Sequence, residues 1–277
     1  MAPRPPAEPE RITSTANARI KRIRSLRLRK ERDEAGVAFV EGIRTVAEAI
    51  QLGAPVETLI DCPELLRSNF GRDLVDSARA AGIEVVEVSE VVFRTLSKRE
   101  GPQGIAAVVR QEWERLQDLR LARGERWVAL EEAADAGNIG TIVRTCDAAG
   151  SDGVILLDHT ADPYDPVAMR ASTGAVFTTR LIRATFDQFI DWARAQEVIV
   201  IGTAGDAADD YRTADYGERT VILMGSERAG LPPERQRQCD RMVSIPMLGR
   251  VDSLNLAVAT GLVLYEVLEH RRRAGLA

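Results

Sequence analysis

The chain is poor in the residues that most often announce chemistry. Its 277 residues include three cysteines and two histidines. Cys62, Cys146 and Cys239 are isolated, odd in number and match no metal-ligand spacing, so they read as reduced thiols of a cytoplasmic protein. His159 and His270 are too few and too far apart for a metal site, and no metal is expected. No apolar run approaches the roughly 18 residues that cross a bilayer, so no membrane segment is expected. The opening MAPRPPAEPE is proline-rich and has no apolar centre. It is not a secretory leader, and residues 1–12 read as a disordered tail. No G-x-G-x-x-G follows an opening strand, which disfavours a dinucleotide dehydrogenase.

What is present is a globular composition, 45% hydrophobic and 29% charged, long enough for one large or two ordinary domains. The net charge of −5 is unevenly spread. Residues 1–111 hold 18 Lys+Arg against 16 Asp+Glu, whereas residues 112–277 hold 19 against 26. Residues 11–32 alone carry nine Lys/Arg and one Glu. Behind the possible caps Thr13, Ser14 and Thr15, the spacing predicts a helix over Asn17–Arg32 with the stripe Ile20, Ile23, Leu26 and Leu28. Its other faces carry Lys21, Arg22 and Arg24. Like charges this dense repel unless a polyanion neutralises them, so these side chains are candidates for phosphate contacts.

The first 110 residues alternate between strands and helices. Strands are expected at 37–41, 56–61, 83–88 and 105–109, with helices at 43–51, 72–81 and near 91–96. The segment Gln111–Gly124 is charged and helix-prone, and reads as a linker. From Glu125 the alternation resumes. Strands are expected at 127–130, 153–157, 180–182, 198–202, 220–224 and 242–245, mainly parallel. Helices are expected at 138–149 and 186–195, and a long apolar helix follows Ser253-Leu254-Asn255.

Three stretches of this second half carry polar residues where strands give way to loops or helices, the usual place for a ligand crevice in a parallel sheet. They are Asn138-Ile139-Gly140-Thr141-Ile142-Val143-Arg144, Gly225-Ser226-Glu227-Arg228-Ala229-Gly230, and Ser244-Ile245-Pro246-Met247 continuing to Asp252-Ser253-Leu254-Asn255-Leu256-Ala257. In this order and spacing they resemble the three motifs of the SpoU/TrmH family of RNA 2′-O-ribose methyltransferases, within the SPOUT superfamily. The D-P-Y-D-P-V-A-M-R-A-S-T-G stretch is similar to the rRNA enzymes of the thiostrepton- and avilamycin-resistance type. The S-T-A-N-A-R-I-K and F-V-E-G-I-R segments resemble the N-terminal substrate-binding domain of the larger members, a ribosomal-protein-like module.

The resemblance implies an α/β chain with a small RNA-binding domain over 13–110, a linker over 111–124 and a methyltransferase domain over 125–277. It also implies a mostly parallel sheet with a deep trefoil knot, and a homodimer. The activity implied is S-adenosylmethionine-dependent 2′-O-methylation of RNA, with 23S rRNA first. A tRNA substrate and a non-catalytic RNA-binding or ribosome-assembly module are the alternatives. Arg144 would be the catalytic arginine, with Asn138, Glu227, Ser253 and Asn255 around the reacting ribose. Thr203, Gly225, Ile245 and Leu254 would line the cofactor pocket, and Arg170 would grip a substrate phosphate. A guanidinium is a poor general base, because it keeps its proton throughout the physiological pH range. Arg144 is therefore expected to orient the hydroxyl and hold a phosphate. A helix cap alone is the alternative reading of Ser253, since serine is a good cap for the last helix; Asn255 is expected to be buried, and the cations after Tyr265 to have no role beyond the helix dipole.

Overall fold

The computed structural model describes residues 11–275. The chain divides into two compact units, one ending at Gln111 and joined by 164–166, the other formed by 112–163 and 167–277. Most of the expected tail lies outside the described residues. Ile12 does not: its amide donates to the Glu87 carbonyl at 2.9 Å.

The first unit runs α1 (Ala18–Ser25), α2 (Arg29–Ala35), β1 (Val37–Glu41), α3 (Ile43–Gln51), β2 (Val56–Asp61), α4 (Asn69–Ala80), β3 (Glu84–Glu87), α5 (Glu90–Leu96) and β4 (Ile105–Arg110). Its sheet has the order β1-β4-β2-β3, with β4 antiparallel to both neighbours and β2 parallel to β3. The single basic helix expected over 17–32 is two helices. Ile20, Ile23 and Leu26 keep helical spacing and are buried, but Leu28 comes only two residues later and is 62% exposed. The chain breaks there into an extended residue. Arg32 is buried and donates to the carbonyls of Leu26 (2.9 Å) and Arg27 (3.1 Å), groups freed by the break.

The basic arm is thus partly internal. Arg24 donates to the Thr15 carbonyl at 3.1 Å, Arg27 to those of Thr95 and Ser97, and Arg19 pairs with Glu84. Lys21 and Arg22 remain exposed.

The second unit runs β5 (Arg126–Glu131), α6 (Ala136–Ala148), β6 (Gly153–Leu157), α7 (Pro166–Ser172), β7 (Arg180–Ala184), α8 (Phe186–Ala195), β8 (Ile199–Thr203), β9 (Asp209–Asp210), β10 (Thr220–Met224), α9 (Pro233–Gln236), β11 (Arg241–Ser244) and α10 (Leu256–Arg273). Its strands order as β7-β6-β5-β10-β8-β11-β9, and every pair is parallel. The runs GVILL and TVILM are buried throughout, as expected of parallel strands covered on both faces. The two-residue β9 adds a seventh strand that the sequence did not suggest. Residues 112–124, expected as a linker, are built into this unit. Leu116, Leu119 and Leu121 enter its core, and the Glu114 amide donates to Leu181.

β10 inserts between β5 and β8, so segments far apart in sequence present their carboxyl ends side by side. The last helix, α10, packs on α6. Its far end is anchored by Arg271, which is fully buried. The guanidinium donates to the carbonyls of Glu218 (2.5 Å) and Glu125 (3.2 Å) and to Thr220 Oγ1 (3.0 Å), joining the helix to the amino ends of β5 and β10. One of the terminal cations is therefore a structural pin and not only a dipole partner.

Two stability predictions arise here. Arg271→Ala leaves buried acceptors unpaired and should cost about 2–4 kcal/mol, measured by urea unfolding. Arg272→Ala, at the exposed face of the same turn, should cost under about 0.5 kcal/mol. The second concerns Asp61, 7% exposed at the end of β2. Burial pushes its carboxyl from 3.8 up to about 6, despite Arg79 at 3.6 Å. The folded state then holds a proton that the unfolded state releases, so stability falls as pH rises from about 4 to 6. The deficit is roughly 2–3 kcal/mol above that range. Asp61→Asn should raise the Tm at pH 7.5 and leave it nearly unchanged at pH 4; equal gains at both would refute this reading.

Candidate active site

Three loops meet at the carboxyl edge of the parallel sheet. The first follows β5. Asp135 caps α6, its Oδ1 accepting from the Asn138 amide at 2.7 Å. Asn138 therefore lies in the first turn and not at the helix start that the sequence suggested.

The second loop follows β10. Gly225 is buried, and a Cβ there would run into the backbone of Gly230 and Leu231. Ser226 and Gly230 exchange backbone hydrogen bonds at 3.2 and 3.0 Å, which closes the loop tightly. Gly230 sits at φ 63°, a conformation that costs glycine little. The closure projects Glu227 towards the first loop.

The third loop runs from β11 to α10. Its helix cap is Asn255, whose Oδ1 accepts from the amides of Ala257 (2.9 Å) and Val258 (3.3 Å). Ser253 is not the cap; its hydroxyl lies 3.3 Å from Asp252 Oδ1. Asn255 is exposed, because the residue that caps α10 must stand outside its first turn.

Glu227 joins the loops. Its Oε2 accepts from the Ala134 amide at 3.1 Å, and its Oε1 from the Asp135 amide and Asn138 Nδ2, both at 3.3 Å. Asn138 Oδ1 in turn accepts from Asn255 Nδ2 at 2.9 Å. The carboxylate fixes the polarity of this chain. It can only accept, so Asn138 must present its amino group to it and its oxygen to Asn255. Asn255 then has its own oxygen left for the α10 amides. Burial raises the Glu227 carboxyl, but the hydrogen bonds from its own amide, from Ala134, Asn138 and Asp135 outweigh it and hold the group below its ordinary value. Such a carboxylate is a weak proton acceptor and a strong organiser.

Two cavities flank this chain. One, of about 330 Å³, is lined by Thr203–Gly205, Met224–Arg228, Ile245, Met247 and Asp252–Leu254 among others. All four residues expected to hold a cofactor, Thr203, Gly225, Ile245 and Leu254, line it. Ile245 is half-buried and Leu254 is 38% exposed, so both are walls of the cavity and not core. The other, of about 890 Å³, is lined by Glu132, Ala134, Asp135, Asn138, Ser226–Arg228 and Ser253–Leu256. Its charged groups are the carboxylates Glu132, Asp135 and Glu227 and the guanidinium of Arg228.

Arg144 is exposed on α6, two turns past Asn138, and lines neither cavity; its guanidinium makes no ion pair among the described residues. Arg170 is exposed in the last turn of α7, which meets α6 where Gly140 allows close approach to Ala168 and Ala171.

Sequence reasoning missed several participants. The Ala134 and Asp135 amides carry no side-chain signal. Arg228 lines both cavities and was passed over inside a quoted motif, as was Asp252.

Comparison with known proteins gives the same regions a context. Residues 125–265 match the SpoU rRNA Methylase family, and residues 17–107 match an MRM3-like substrate binding domain. The chain is 33% identical to the 23S rRNA (uridine(2479)-2′-O)-methyltransferase of Streptomyces viridochromogenes, over 94% of this chain and 92% of that one. It is 30% identical to the 23S rRNA (guanosine(2553)-2′-O)-methyltransferase RlmP of Bacillus subtilis, over 93% and 99%. Among solved structures it resembles the AdoMet-bound rRNA methyltransferase of Sinorhizobium meliloti, with a TM-score of 0.84 and 40% identity over 94% and 98%. All three converging loops fall within the matched residues 125–265, and the chain belongs to the SpoU rRNA methylase family.

Proposed function

We propose that the chain transfers a methyl group from S-adenosylmethionine to a ribose 2′-hydroxyl of RNA, with a nucleotide of 23S rRNA as the substrate. The observation that carries this is the single hydrogen-bonded chain of Glu227, Asn138 and Asn255, drawn from three distant stretches and set between two cavities. The smaller cavity fits the cofactor. It offers the apolar walls Ile245 and Leu254 for a flat ring, and backbone amides and carbonyls at Thr203–Gly205 and Gly225–Ser226 for the ring's edge. S-adenosylmethionine, when bound, supplies an electrophilic methyl on a sulfonium. The match of the first unit to a substrate-binding domain favours rRNA over the smaller tRNA enzymes.

The larger cavity suits the ribose and base of the target nucleotide. Its three carboxylates, Glu132, Asp135 and Glu227, outnumber its one cation, Arg228, and disfavour a phosphate inside, so cations around the cavity hold the backbone. Arg144 and Arg170 fill that role at the catalytic unit; on the first unit Lys21 and Arg22 are the exposed cations for other phosphates, and Arg24, turned to Thr15, contributes less. Glu227 is not the base, because its oxygens are occupied by amides. Arg144 orients the hydroxyl and grips the adjacent phosphate, and that phosphate takes up the proton. Asn138 and Asn255 each retain one amide N–H to fix the ribose, and Ser253 stands at the junction of the two cavities.

The working form is a homodimer, and the family resemblance adds a trefoil knot in the second unit. Support for the dimer comes from the groove along α6 and α10, where Val258 (52%), Leu262 (40%) and Tyr265 (49%) are exposed. A second copy covering this face brings its Arg144 to the first copy's cavities. No described helix is long and apolar enough to cross a membrane. The site of action is the cytoplasm, where ribosomal RNA and S-adenosylmethionine meet.

Incubating ribosomal RNA with labelled S-adenosylmethionine should yield one 2′-O-methylated nucleotide. Arg144→Ala and Arg144→Lys should both lower turnover about a hundredfold. Near wild-type turnover in both sinks the assignment. Mixing Arg144→Ala with Glu227→Gln protomers should restore part of the activity; no restoration places Arg144 in its own subunit's site. S-adenosylmethionine should also raise the Tm, and Leu254→Asp should weaken that binding about tenfold or more without lowering the Tm of the cofactor-free protein.

A further inference from the structure

We propose that Arg235 is a positioning residue for the methyl-transfer site, acting through Glu227; this rests on the reading of that site given above. Arg235 lies on α9, outside the three motifs and outside both cavities. Its guanidinium reaches three carboxylates: Glu131 at 3.0 Å from Nε, Asp187 at 3.2 Å and Asp158 at 3.6 Å from the terminal nitrogens. It also lies over the Phe186 ring, 3.8 Å from the centroid.

Glu131 is the decisive partner. It is the last residue of β5 and only 5% exposed, and its second oxygen has no hydrogen-bond partner. A buried carboxylate of this kind is costly without its cation. The next residue, Glu132, adopts φ 50°, a left-handed conformation unusual for a non-glycine. That turn sends the chain to Ala134 and Asp135, whose amides hold Glu227. On the other side, α9 follows the loop that carries Glu227. Leu231 is anchored in the core, and Gln236 Nε2 donates to its carbonyl at 2.8 Å.

The two loops are therefore tied at both ends. In front, the Glu227 carboxylate accepts amides of the first loop. Behind, the first loop's Glu131 accepts the guanidinium that follows the second. The rear tie fixes the spacing at which the front one can form. Only a fork fits: one ammonium cannot bond Glu131 and Asp187 from a single position while stacking on Phe186.

The test uses the full-length protein, with kcat measured well below the Tm of each variant. Arg235→Met should lower kcat about tenfold, and Arg235→Lys should recover less than half of the loss. In a Glu227→Gln background, Arg235→Met should change kcat less than about twofold, because the tie acts through Glu227. Equal fold-losses in both backgrounds, or wild-type kcat in Arg235→Met, overturn the proposal. Amide exchange gives a readout that needs no activity. Arg235→Met should speed exchange at Ala134 and Asp135 about tenfold and leave the β5 amides unchanged. Unchanged exchange at those two amides overturns the positioning role. Absence of any methyl transfer by the unsubstituted protein, with the exchange effect present, overturns the function and leaves the tie standing.

Discussion

A carboxylate that only accepts hydrogen bonds governs this site. Glu227 has two oxygens and no proton to offer, and the groups around it are all N–H donors. That one-sidedness dictates which way Asn138 faces, and Asn138 dictates Asn255. The last helix then starts from a side chain whose orientation was set by a residue some thirty positions upstream. Charge, polarity and helix initiation are thus parts of one constraint. The lowered Glu227 carboxyl expresses the same fact, since the ionised form is the one that the donors hold.

The sheet makes this constraint affordable in a physical sense. Parallel strands buried on both faces give rigid rails, and their carboxyl ends leave loops free to carry polar groups. Placing β10 between β5 and β8 brings Gly225 beside the β5 exit without long side chains having to bridge the distance. The site's precision then depends on short backbone contacts, and those depend on how closely the loops are held from behind.

Much of this was readable in the residues. The apolar runs marked most strands to within a residue or two, and Asn138, Glu227, Ser253 and Asn255 do share one locale with the expected cofactor residues. What failed to show was of two kinds. Backbone donors such as the Ala134 and Asp135 amides have no side-chain signature. Nor do long-range partners: nothing in the tail EHRRR announces that Arg271 is buried while Arg272 is not. The break at Leu28 was visible in hindsight, because a spacing of two after Leu26 leaves the helical stripe. Ser253 looked like a cap by residue preference, yet Asn255 holds the position with two amide contacts. Arg144 illustrates a further limit. Its helix is easily read, but an exposed side chain that lines neither cavity carries no mark of a role in the contacts of its own chain.

The interleaving of β10 has a consequence for synthesis on the ribosome. The catalytic floor needs residues 131–138, 225–230 and 245–255 together, so it cannot assemble before residue 255 has emerged. The strands of the first unit, by contrast, all precede Gln111, and only residues 164–166 of that unit come later. A nascent chain therefore gains most of the unit that matches a substrate-binding domain long before it gains a cofactor site. Ligand stabilisation reaches the protein only after its last helix has been drawn into place and fastened at Arg271.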